Sequence, residues 1–68
     1  MRLRLKFVGF DREEVEIEAP PGKTFYEVIE ELGINPETVV IVKDSKPIPT
    51  EARVEEGEFK VMRVISGG

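Results

Sequence analysis

Three pairs of adjacent acids, Glu13-Glu14, Glu30-Glu31 and Glu55-Glu56, are of a type suited to acid–base chemistry. Their spacing defeats it. Neighbours in a strand point to opposite faces, and neighbours in a helix do not face each other. They read as solvated charge, since working carboxylates need a cleft that perturbs them. The chain has no His and no Cys. It therefore has no imidazole acid–base catalyst, no serine or cysteine triad of the usual kind, and no thiolate or imidazole to hold zinc, haem or an iron–sulfur cluster. What remains is the ending Ser66-Gly67-Gly68. Without Cβ atoms, Gly67 and Gly68 permit close backbone approach and most φ/ψ values. Three residues beyond Ile65 reach about 10 Å when extended, enough to enter a narrow channel.

The elements that must carry this ending can be read from periodicity. Leu3, Leu5 and Phe7 alternate with Arg2, Arg4 and Lys6, which predicts a half-buried strand. Gly9 to Arg12 reads as a turn. From Glu13 to Ala19, Val15, Ile17 and Ala19 alternate with glutamates, giving a second strand and a hairpin. Keeping the apolar faces together pairs Phe7 with Val15 and Leu5 with Ile17, with Lys6 opposite Glu16 and Arg4 opposite Glu18. The basic stripe is thereby explained by charge pairing, with no nucleic-acid patch required.

Pro20-Pro21-Gly22-Lys23 ends the hairpin. Thr24-Phe25-Tyr26-Glu27 is a capping-box pattern, and Phe25, Val28, Ile29 and Leu32 make one helix face that stops at Gly33. Glu30 and Glu31 fall where the helix dipole disfavours anions. A loop through Ile34–Glu37 precedes a β-branched strand, Thr38–Lys43, expected to be buried on much of both sides. Asp44-Ser45 reads as a tight turn and Lys46–Pro49 as a short edge strand at most. Ala52 and Val54 are expected anchors in an irregular stretch. Glu56-Gly57-Glu58 is expected to turn the chain into a last strand, Phe59–Ile65, with Phe59 and Val61 inward and Lys60, Met62 and Val64 outward. The third strand is allowed to lie parallel to a hairpin strand by the right-handed crossover preference. The class is α+β: a four- to five-stranded mixed sheet with one main helix on one face. Residues 1–65 are read as a single domain and 66–68 as a flexible tail.

Sixty-eight residues of 7.7 kDa allow no second domain. A net charge of −4 opposes nonspecific nucleic-acid binding. No apolar run approaches the length that spans a membrane, and no signal-peptide pattern follows Met1. The expectation is a cytoplasmic protein that contacts neither nucleic acid nor membrane.

The element order, Pro21-Gly22-Lys23-Thr24 leading into the helix, and the ending Val61-Met62-Arg63-Val64-Ile65-Ser66-Gly67-Gly68 resemble the ubiquitin-like β-grasp sulfur carriers. That group takes in the thiamine-pathway carrier, the small subunit of molybdopterin synthase and the archaeal small ubiquitin-like modifiers. The resemblance implies a carrier that is not itself an enzyme and binds no cofactor or metal. An E1-like enzyme would use ATP to adenylate the Gly68 carboxylate, with Gly67 and Ser66 as the tail. A sulfur donor protein, such as a cysteine desulfurase or rhodanese, would convert it to a thiocarboxylate. The acceptor would be a synthase of the thiamine or molybdopterin pathway, or the machinery of tRNA thiolation. The alternative is a protein modifier joined through Gly68 to lysines of target proteins. Its own Lys60 would lead the acceptors, ahead of Lys43, Lys46 and Lys23. A noncovalent β-grasp interaction module is the alternative of another class. Lys60, Met62, Arg63 and Val64 are the candidate docking surface.

Overall fold

Alternation along the first strand becomes a strict inside–outside division. The computed structural model describes residues 1–11 and 13–64. In β1 (Arg2–Val8), Leu3, Leu5 and Phe7 are buried while Arg2, Arg4 and Val8 are exposed. β2 (Glu14–Glu18) runs antiparallel to it. The helix α1 (Phe25–Glu31) follows, then a 3-10 turn at Pro36–Thr38, β3 (Val39–Lys43), β4 (Lys46–Ile48) and β5 (Gly57–Arg63). The five strands form one mixed sheet in the order β2-β1-β5-β3-β4. β1 and β5 are the parallel pair; the other pairings are antiparallel.

The first hairpin differs from its expected register by two residues. Leu5 faces Val15, Leu3 faces Ile17, Arg4 faces Glu16 and Lys6 faces Glu14. A two-residue shift leaves every side chain on its expected face, so apolar patterning alone cannot separate the two registers. The connection decides it. Phe7 N–H donates to Glu13 C=O at 2.8 Å, and the Phe10 ring packs edge-on against Phe7 at 5.3 Å. Arg4 then serves two neighbours on β2, Glu14 at 3.3 Å and Glu16 at 3.1 Å, and Glu58 on β5 at 3.6 Å. The hydrogen bond it donates to Glu16, then the charge of Glu14, hold its guanidinium further toward the protonated form.

The helix forms where the capping box places it. Thr24 accepts from Glu27 N–H, and the Glu27 carboxylate accepts from Thr24 N–H at 3.0 Å. Gly33, at φ +81°, closes the other end. Its N–H donates to Glu30 C=O at 3.0 Å, and Ile34 N–H donates to Ile29 C=O at 3.2 Å. These two bonds are the Schellman pattern. Glu31, left without explanation by the helix dipole, meets the Lys23 ammonium from the preceding turn. Phe25, Val28 and Ile29 enter the core with Leu3, Leu5, Ile41, Phe59 and Val61. Phe25 and Phe59 meet edge-to-face at 4.9 Å.

Four further differences from the sequence reading have local causes. Thr38 belongs to the 3-10 turn, because Asn35 caps it by accepting from Glu37 N–H at 3.0 Å. β3 is buried on one side only: Val39 and Ile41 are covered, while Val40 and Val42 are half-exposed on the sheet face opposite the helix. The strand lying parallel beside the hairpin is β5, not β3, which reaches the sheet through β5. Gly57 and Glu58 are already in β5 because they pair with Leu3 and Arg4. The irregular stretch before them is tied to the helix start, Tyr26 N–H donating to Thr50 C=O at 2.8 Å and Val54 N–H to Lys23 C=O at 2.7 Å. Val54 is buried and Ala52 packs beside the core. β5 also stops at Arg63, so Val64, expected inside the last strand, lies just beyond it. Arg12 of the expected turn, Ile65 and the tail 66–68 lie outside the described residues. Among the described residues, no helix is long and apolar enough to cross a membrane.

Candidate docking face and C-terminal site

The last strand is the element that leads to the C-terminal residues. It is held on both sides, by β1 and by β3, and Val64 N–H donates to Thr38 C=O at 2.9 Å. Chain order thus brings Val64, the last described residue, to a fixed point at the end of the central strand. Ser66, Gly67 and Gly68 lie outside the described residues.

Strand parity sorts the residues before it. Phe59 and Val61 are buried; Lys60, Met62 and Val64 share the outer face. Met62 is 39% exposed and Val64 41%. Met62 has Val8 beside it on β1 and Val40 beside it on β3. Val8 is 46% exposed. The sheet's outer face is therefore divided. Its far end carries Arg4 with Glu14, Glu16 and Glu58. Its near end, toward the C-terminus, carries an apolar strip of Val8, Met62, Val40 and Val64. Adjacent strands are about 4.8 Å apart, so three side chains abreast make a strip about 10 Å wide.

Lys60 stands at the border of the two halves, next to Lys6 on β1 and Val42 on β3. A shallow groove lined by Lys6, Val42, Asp44, Ser45, Lys60 and Met62 runs along this border. Lys6 reaches Glu58 at 3.5 Å, Lys23 reaches Glu31, and Lys43 reaches Glu55 at 3.7 Å. Lys43 also sits 5.1 Å from the centre of the Phe59 ring. Among the described residues, Lys46 and Lys60 have no carboxylate within the 4.0 Å of an ion pair.

Arg63 is not brought together with the other three docking candidates. Its position in β5 has the opposite parity, and its guanidinium lies 4.8 Å over the Phe10 ring. Sequence reasoning also passed over Val8 and Val40. Val8 was legible: it continues the outward series Arg2, Arg4, Lys6 but breaks the run of cations. Val40 was hidden by the continuous β-branched run around it. Among the described residues, no group of three or more acidic side chains is arranged to hold a metal ion.

Comparison with known proteins agrees with this layout. The family described as Small archaeal modifier protein 2 matches residues 1–65. A protein of Archaeoglobus fulgidus is 59% identical over 68 residues, covering 100% of both chains. Sulfur carrier protein TtuB of Thermus thermophilus is 44% identical over 59 residues, 85% of this chain and 88% of its own. Small archaeal modifier protein 2 of Haloferax volcanii is 28% identical over 68 residues, again 100% of both. Among solved structures, Caldiarchaeum subterraneum ubiquitin superposes with a TM-score of 0.71 at 14% identity, covering 100% of this chain and 98% of its own. That likeness establishes the ubiquitin-like β-grasp fold. The Thermus and Haloferax relatives are a small sulfur carrier and a small modifier, not catalysts, and the chain belongs to the small archaeal modifier protein 2 family.

Proposed function

We propose that this protein is a sulfur carrier whose reactive group is the Gly68 carboxylate. The observation that carries the reading is the 44% identity to a sulfur carrier over 85% of this chain, joined to the Gly67-Gly68 ending. A carboxylate is a poor electrophile. An E1-like enzyme supplies a leaving group by joining it to AMP, with pyrophosphate released from ATP. A persulfide on a donor protein, a cysteine desulfurase or rhodanese, then displaces AMP to give an acyl disulfide, and a partner thiol that attacks the donor's sulfur of that S–S bond releases the thiocarboxylate and leaves a disulfide on the partner. The chain has no Cys, so the sulfur is held on the C-terminal carbonyl. An extended backbone from Val64 to Gly68 spans about 13–14 Å, which carries the carboxylate into the partner's site while the body stays outside. The apolar strip of Met62, Val64, Val8 and Val40 is the docking face, and Lys60 marks its polar rim. The setting is the cytoplasm, and the acceptor is a synthase or tRNA-thiolation enzyme.

The family match favours a second job on the same chemistry: protein modification through Gly68. A lysine amine then displaces AMP in place of sulfur. Lys60 and Lys46, which no described carboxylate engages, are the acceptors if copies join to one another.

Appending one alanine after Gly68 tests both readings. ATP–pyrophosphate exchange by the E1-like enzyme should be lost, while binding of the folded body to that enzyme stays within about threefold, since rim and tail contacts contribute little to docking. Exchange that continues with the extended chain would overturn Gly68 as the adenylated residue, and no exchange with the unextended chain despite intact binding would leave a noncovalent interaction module as the better account.

A further inference from the structure

The two edges of the sheet are finished differently. β4 at one edge has three residues, contains Pro47 and runs into Pro49. Proline supplies no ladder donor, so this edge is blunted. β2 at the other edge has five residues and no proline. Its free backbone groups can be assigned. Met1 N–H donates to Ala19 C=O and Ala19 N–H to Met1 C=O, both at 2.9 Å, while Phe7 N–H donates to Glu13 C=O at 2.8 Å. In an antiparallel pair, hydrogen-bonded partners recur every second residue. Val15 and Ile17 therefore direct their backbone groups to β1. Glu14, Glu16 and Glu18 direct theirs away from the sheet.

The side chains define what fits there. Glu14, Glu16 and Glu18 are exposed on one face, and Val15 and Ile17 are only half-covered on the other. Glu18 has no cation within the 4.0 Å of an ion pair among the described residues. A second copy's β2 would set glutamates against glutamates, which like-charge pairing disfavours. The strand that β2 already accepts on its inner side carries Arg2, Arg4 and Lys6 alternating with Leu3, Leu5 and Phe7.

We propose that the open edge of β2 binds, by strand addition, an extended segment of a partner protein in which Lys or Arg alternates with apolar residues. Backbone bonds to Glu14, Glu16 and Glu18 give the affinity. The three carboxylates select cations on the outer face, and Val15 and Ile17 select apolar residues on the inner one. This surface is separate from the strip that leads to Gly68, so a partner can hold the protein while its tail is engaged elsewhere.

The test is an amide NMR titration of the full chain with acetyl-Lys-Val-Lys-Val-Lys-amide and, as control, acetyl-Glu-Val-Glu-Val-Glu-amide. The basic peptide should slow hydrogen exchange at the amides of Glu14, Glu16 and Glu18, and its affinity should fall as salt rises. Glu16→Gln should weaken binding by about two- to fivefold at low salt. Glu16→Pro removes an outward donor and no bond to β1, and should weaken binding by about tenfold or more. If the proline variant fails to fold, the glutamine variant and the exchange pattern still decide. Equal binding of the acidic peptide, perturbation confined to Val8, Val40 and Met62, or no binding at millimolar peptide would overturn the proposal.

Discussion

Val61 and Met62 are adjacent in one strand and belong to opposite sides of the account, so replacing each in turn separates folding from docking. Val61 is 0% exposed, in contact with the core between β1 and β3. Val61→Ala removes two methyl groups. At about 0.8 kcal/mol per buried carbon plus the cavity left behind, the loss is about 2–3 kcal/mol. For a domain of this size that lowers Tm by about 10–20 °C. Met62 is 39% exposed, and Met62→Lys keeps an aliphatic stem over the sheet. Its stability should stay within about 0.5 kcal/mol of the parent. Docking should suffer in the opposite order. An ammonium in the middle of the apolar strip must be desolvated against the partner, and a central contact of this kind is worth about 1–2 kcal/mol, so KM for the carrier in ATP–pyrophosphate exchange should rise about five- to thirtyfold. Val61→Ala, assayed well below its Tm, should leave KM within about twofold. Thermal melts by circular dichroism and exchange kinetics with the E1-like enzyme give both numbers. The reasoning is refuted if Met62→Lys melts as low as Val61→Ala, or if it leaves KM unchanged.

Three other outcomes follow from named contacts. The Glu27 carboxyl lies below the usual carboxylate range because it accepts the Thr24 backbone N–H and then the Thr24 hydroxyl. Its folded value is depressed, so its contribution is present above the unfolded value of about 4.3 and is lost as pH falls through the folded one. Glu27→Gln keeps the capping geometry without the charge, and urea midpoints measured across the acid range should fall less steeply than those of the parent; parallel curves would contradict this. Asp44 and Ser45 occupy the two-residue turn at φ 52° and 67°. Ser45→Gly should therefore stabilise the protein by about 0.5–1 kcal/mol in urea unfolding, with no change in exchange kinetics. Arg4→Ala removes the cation that holds Glu14, Glu16 and Glu58 together. These pairs are exposed, so the loss of stability should be small and should vanish in high salt.

The sequence carries the face of each strand residue and the limits of the helix, because period-2 alternation, a capping box and Gly33 each act within a few residues of themselves. It does not carry the hairpin register. Phe7 facing Val15 and Leu5 facing Val15 bury the same side chains, and the choice rests on how Phe10 packs on Phe7. It does not show which strand joins the hairpin, since β3 and β5 are both apolar on one side. On the docking face, Lys60, Met62 and Val64 follow from parity within one strand. Val8 and Val40 join them only through pairing across three strands. Arg63 illustrates the converse: adjacency in sequence suggested a shared surface, and the half-turn between neighbouring strand positions sends it to the Phe10 ring instead.

The central claim is that the Gly68 carboxylate is the reactive group. Its most direct test is the intact mass of the protein purified from native cell extract, read with a digest of any conjugates. The account predicts exchange of one terminal oxygen for sulfur, or Gly68 joined to lysines of other proteins. A chain bearing only the free Gly68 carboxylate, in cells whose E1-like enzyme and ATP are active, would contradict it.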